Sequence, residues 1–151
     1  MSEGWIGVDL DGTLAEYHGW VNTFHIGPPI PAMLKRVKKW LTEGKDVRIF
    51  TARVDGGGTA SKMGVDPEIV KKYENVDAIT MMIQNWTEEH LGVRLPVTNK
   101  KDYGMVELWD DRCVQVIPNT GQAIAELVDW EPVIRKAMNL PDPPAQTQTS
   151  R

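Results

Sequence analysis

Apolar residues fall into two rhythms along this chain. Short solid runs, Trp5 to Leu10 ("WIGVDL"), "DVRIFTAR", "LPVT", "MVELWDD" and "VQVI", have the length and β-type content of strands. Elsewhere the spacing lengthens to that of helices. Met33, Leu34, Val37, Trp40 and Leu41 share one helical face, with Pro31 suited to the first turn and Gly44 to the end. Asp66-Pro67 starts a short helix, "PEIVKKYEN". A longer one follows near Asp77, with Ile79, Met82, Ile83, Trp86 and His90 in line and Gly92 closing it. Asn119 or Thr120 caps a last helix, with Ile124, Leu127 and Val128 inward, and Pro132 breaks or kinks it. Strands alternating with helices predict an α/β fold: a Rossmann-like three-layer sandwich around a mainly parallel sheet.

Three stretches keep neither rhythm. Ala15 to Pro31 is irregular and rich in Gly, Pro and aromatics, "VDGGGTASKMGV" reads as a flexible loop, and residues 141–151 offer no large apolar side chain. One domain over residues 1–140 with a polar, poorly packed tail is therefore expected, and 151 residues suit a single core.

Composition excludes more than it identifies. A net charge of −4 gives no global attraction to nucleic acid or membrane. No apolar run approaches the roughly 20 residues that span a bilayer. The single Cys113 allows no internal disulfide, and no signal peptide precedes the first strand, so a soluble, reduced, cytoplasmic protein is the expectation. "LKRVKKW" reads as a solvated helix face, and "DGGGTASK" misses the spacing of a P-loop.

The chemistry begins in "WIGVDLDGTLAEY", where a buried strand ends in two carboxylates two residues apart, Asp9 and Asp11, followed by Gly12. In open parallel sheets ligands bind beyond the carboxyl ends of the strands. Asp9, Thr51, and the pair Asp110 and Asp111 all sit at such ends, and Lys100 and Lys101 lie just before the last of them. Clustered carboxylates repel each other and raise their own pKa values, which a hard divalent cation relieves; an oxygen-rich site with few protein ligands suits Mg²⁺. Cation and Lys together fit a phosphate monoester. A carboxylate kept ionised by them attacks phosphorus, and Asp11 protonates the leaving oxygen and then activates water. His18 and His25, in the loop after these acids, either touch substrate or pack the loop, and nothing there has metal-ligand spacing. His90 and Cys113 read as structural, and Trp109 as packing against the sheet.

"VDLDGTL", a strand ending "FTAR", and a Lys followed by "VELWDD" together resemble the haloacid dehalogenase superfamily of phosphohydrolases, over Ile6 to Asp111. The resemblance implies an aspartyl-phosphate intermediate and Mg²⁺. It implies Asp9 as nucleophile and Asp11 as general acid/base. Thr51 and Ala52 would hold the phosphate with a Lys, Lys101 being favoured over Lys100. The metal ligands would be the Asp9 carboxylate, the Asp11 backbone carbonyl and Asp111, with Asp110 behind. The first gap, Ala15 to Pro31, is too short for a folded cap, and the second, Ala52 to Pro96, holds about two helices and a loop, of which the core needs at least one helix, so a capless or minimal-cap member is implied. The substrate leaning is toward a nucleotide or nucleic-acid end, with a sugar phosphate close behind. A non-catalytic phospholigand- or protein-binding module, and phosphotransfer to an acceptor other than water, are the alternative functions.

Overall fold

The structure, a computed structural model, describes residues 3–57, 62–127 and 129–141, apart from the side chains of Lys72 and Tyr73. The chain was expected to form one domain over 1–140; it divides into two compact units, Met1–Asp111 and Arg112–Arg151.

The first unit carries the sheet. Strands β1 (Trp5–Val8), β2 (Asp46–Phe50), β3 (Val97–Thr98) and β4 (Met105–Trp109) line up in the order β3-β2-β1-β4. Every pairing is parallel. Helix α1 (Pro31–Thr42) fills the crossover from β1 to β2, and α2 (Pro67–Glu74) and α3 (Val76–Leu91) that from β2 to β3. This is an α/β fold with an all-parallel sheet flanked by helices, as in a Rossmann-like three-layer sandwich. β1 lies between two neighbours and is buried at all four residues, which explains its unbroken apolar run.

The helices follow the predicted faces. Pro31 opens α1, which buries Met33, Val37 and Trp40. Asp66 caps α2 by accepting the Glu68 N–H at 2.8 Å. α3 buries Ile79, Ile83 and Trp86 and ends at Gly92 with φ 77°. Both α1 and α3 feed one core with Ile6, Val8, Val47 and Ile49. Full burial of each such side chain is worth roughly 1.5–3 kcal/mol. Trp109 joins them, edge-on to Trp40 at 5.2 Å, with the Arg36 guanidinium 4.6 Å from its ring. His90 is structural as read, its ring 4.6 Å from that of Trp86.

The second unit departs from the expectation. "VQVI" is not a fifth strand: Val116 makes a single antiparallel bridge with Ala123, and the Ile117 N–H donates to the Gln122 carbonyl at 2.8 Å. The segment folds back on itself through a turn in which Asn119 takes φ 65°. Asn119 and Thr120 therefore cap no helix. Ile124–Glu126 is one 3₁₀ turn, and α4 (Glu131–Ala137) starts where a break was expected. Pro132 lies in its first turn, where the missing N–H costs nothing. Cys113 is exposed rather than a core residue. Val128 and residues 142–151, on which the inward helix face and the tail were predicted, lie outside the described residues. Among the described residues, no helix is long and apolar enough to cross a membrane.

Candidate functional site

Because all four strands are parallel, their carboxyl ends share one edge of the sheet, and Asp9, Thr51, Asp110 and Asp111 follow three of those ends. Asp9 follows β1, and its N–H donates to the Trp109 carbonyl at 2.8 Å, which ties it to the end of β4. Asp110 and Asp111 follow β4 directly. One carboxylate oxygen from each of Asp9, Asp110 and Asp111 lies within 4.8 Å of the others. Burial pushes the Asp9 carboxyl up to about 7; the negative charge of Asp110 and a hydrogen bond with Asp111 add to this, and the Leu10 backbone pulls the other way.

Two small residues bring the strand ends together. The Thr13 hydroxyl lies 3.4 Å from Asp9 Oδ2 and 3.3 Å from Asp111 Oδ1, and it accepts the Asp111 N–H at 3.0 Å. Gly12 has φ 87°, and a Cβ there would lie 2.7 Å from Asp111 Oδ2. Glycine serves here for its positive φ and for the room it leaves the Asp111 carboxylate. Thr13 was not singled out from the sequence, although its place in the first motif was the signal.

Asp11 does not join the acidic cluster. Its carboxylate is held by Arg53, whose Nε and Nη2 donate to its two oxygens at 2.6 and 2.7 Å. This is a fork-to-fork pair, the most directional of charged hydrogen bonds. Arg53 is only 8% exposed. Its remaining contacts hold the loop after the first motif: Nη1 donates to the Thr23 carbonyl at 3.0 Å and Nη2 to the His25 carbonyl at 2.7 Å. Arg53, like Thr13, was missed by sequence reasoning. It stood in "FTAR", two places beyond Thr51, but its partner lies 42 positions away.

The residues expected to hold a phosphate are placed as follows. Thr51 is buried, and its hydroxyl accepts the Arg53 N–H at 3.2 Å, capping the 3₁₀ turn Ala52–Val54. That oxygen can still donate its own hydrogen. Ala52 is exposed at the start of this turn. Lys100 and Lys101 are both exposed on the loop between β3 and β4. The Lys100 backbone N–H donates to Thr98 Oγ1 at 3.0 Å.

His18, His25, Tyr17 and Trp20 line a cavity of about 310 Å³ that Asp11 and Arg53 also line. His18 Nε2 sits 3.4 Å from Glu16 Oε2.

No family model matches the chain, and no curated protein matches it. Among solved structures it is similar to a conserved protein coded by a locus from Bacteroides thetaiotaomicron, with 18% identity over 91% of this chain and 92% of that one and a TM-score of 0.44.

Proposed function

We propose that the protein is a Mg²⁺-dependent phosphatase of the haloacid dehalogenase type, which hydrolyses a phosphate monoester through an aspartyl-phosphate. The observation that carries this reading is the state of Asp9. It ends the central strand β1 inside a cluster of like charge, with its carboxyl raised to about 7. Such a group is costly for the fold and suits a nucleophile that is ionised only when positive charge arrives.

The donor set fits a hard divalent cation, since the three clustered acids offer only oxygen. Asp9, Asp111 and the Asp11 carbonyl would hold Mg²⁺ with Asp110 beside them, and the ion supplies positive charge toward the phosphate oxygens and the Asp9 carboxylate. Lys101 adds a second positive charge from the neighbouring loop, and Thr51 a hydroxyl donor.

In the first step an Asp9 carboxylate oxygen bonds to phosphorus as the ester P–O bond breaks, and the departing oxygen takes a proton from Asp11. In the second, Asp11 takes a proton from water as the water oxygen attacks phosphorus, which releases phosphate and restores Asp9. Both Asp11 oxygens accept N–H bonds from Arg53 in the present geometry, so the proton-carrying form gives up one of them. Arg53 thereby aims the carboxyl and acts as a positioning residue.

The test is hydrolysis of p-nitrophenyl phosphate with Mg²⁺ and with EDTA, plus acid-quench trapping of a phosphoenzyme. Turnover that needs the metal and a phosphoenzyme that Asp9→Asn cannot form support the reading. Undiminished turnover in pure Asp9→Asn overturns it.

A further inference from the structure

The loop Glu16–Pro28 leaves and re-enters the fold at one point. Ala15 bridges Pro29, and the Glu16 N–H donates to the Pro28 carbonyl at 2.9 Å. A Cβ on Gly27 would lie 2.1 Å from the Glu16 carbonyl oxygen, so this closure needs glycine. Trp86 Nε1 holds the Gly27 carbonyl at 3.1 Å, and Arg53 holds those of Thr23 and His25. A loop fastened at this many points keeps its shape, and so does the cavity of about 310 Å³ along it. That volume is at the lower end of small-molecule sites, which start at roughly 300 Å³.

We propose that this cavity is the subsite for the leaving group of the phosphate ester, and that it takes a neutral, flat aromatic group: the nucleoside of a nucleoside monophosphate. The inference rests on the phosphatase reading and adds the substrate class to it. Three observations carry it. Asp11, assigned the proton for the leaving oxygen, lines the cavity, so whatever that oxygen is attached to extends into it. The rings of Tyr17 and Trp20, 40% and 47% exposed, line it from a fastened loop, and aromatic faces stack on bases of any sequence. Two of the three basic side chains are already committed. Arg53 directs its donors to Asp11 and two carbonyls, and His18 faces Glu16 at 3.4 Å. Of the cavity's three basic side chains only the His25 imidazole is left to meet a second phosphate, and Glu16 adds negative charge, so a monophosphate is favoured over a diphosphate or a polynucleotide end.

The experiment compares kcat/KM for nucleoside monophosphates, nucleoside diphosphates, glucose 6-phosphate and glycerol 3-phosphate, in the wild type, Trp20→Ala and Tyr17→Ala. The expected result is that nucleoside monophosphates lead the others by about tenfold or more, the scale of one lost base stack, and that this lead collapses in either variant. A lead held by the sugar phosphate, the glycerol ester or the diphosphate overturns the proposal, as does a ratio that neither variant changes. Trp20→Phe, which keeps a ring, should retain most of the lead and guards against misfolding of the alanine variants. If no ester is hydrolysed by any form, the phosphatase reading fails by itself. The subsite is then decided by titrating adenosine into the wild-type protein and following the NMR signals of the Tyr17 and Trp20 rings. Saturable ring-current shifts support it, and unmoved signals overturn it.

Discussion

Asp9 and Asp11 lie two residues apart on one turn and occupy opposite surroundings. Asp9 faces two further carboxylates, with its own carboxyl raised to about 7. Asp11 meets a buried guanidinium that donates to both of its oxygens. Extended residues two apart point to the same side, and sequence alone gives them equal standing. What separates them is the end of β4 on one side and the 3₁₀ turn after β2 on the other. In physical terms, one acid lies among like charges. The other is held in place by a partner built into the fold.

The sharpest test removes the charge of Asp9. Asp9→Asn should lower phosphatase turnover by about 10⁵-fold or more, the scale for loss of a catalytic nucleophile, and leave circular dichroism unchanged. Next is Asp11→Asn, which should slow phosphoenzyme formation and its hydrolysis by roughly 10² to 10⁴ each. The first loss should shrink for a nitrophenyl ester, whose leaving oxygen needs little protonation, relative to an alkyl ester in single-turnover kinetics. An equal cost for both esters would take Asp11 out of the proton-donor role.

Arg53→Ala should then show that the two acids depend on different supports. It empties a buried site and strands a half-buried carboxylate and two loop carbonyls, so unfolding by denaturant should reveal a loss of about 3 kcal/mol. Arg53→Lys, which cannot reproduce the fork, should recover only part of it. The apparent metal affinity, read by Mg²⁺ titration of activity, should move less in these variants than in Asp111→Ala.

The gentlest effect is on the pH dependence of stability without metal. The folded-state value of Asp9, about 7, lies above the 3.8 of an ordinary Asp, so the folded protein holds an extra proton between these limits. Stability of the metal-free protein should therefore fall as pH rises from about 4 through 7 and level off above that. Asp9→Asn should flatten this part of the curve, and added Mg²⁺ should restore stability at the alkaline end. Thermal melts across pH measure both. A metal-free wild type whose melting temperature ignores pH in this window would remove the contrast between the acids.

Strands β1 and β2 and helices α1 and α3 were legible because each sets apolar residues into the core, such as Met33, Val37 and Trp40 on α1. The edge of the sheet where Asp9, Thr51, Asp110 and Asp111 meet followed from parallel topology alone. The second unit was misread because its apolar residues have no such face behind them: no described residue of that unit is buried. "VQVI" has β-type composition, yet a fold-back turn at Asn119 claims its backbone. Pro132 was read as a breaker because its position relative to a helix start is invisible until the start is known. Arg53 was unreadable for another reason. Nothing local distinguishes an arginine bound for solvent from one that will pair across 42 positions.

The fastenings of the loop Glu16–Pro28 end on main-chain carbonyls, those of Thr23, His25, Gly27 and Pro28. Main-chain oxygens are the same whatever residue bears them. The loop is in that sense a cassette: apart from Gly27, the buried Thr23 and Asn22, whose Oδ1 accepts the Phe24 N–H at 3.0 Å, side chains along it can be exchanged without touching these main-chain bonds. A change of substrate in this architecture would then require only a handful of substitutions within one short stretch, and libraries confined to Tyr17, His18, Trp20 and Val21 are where new specificities should be sought.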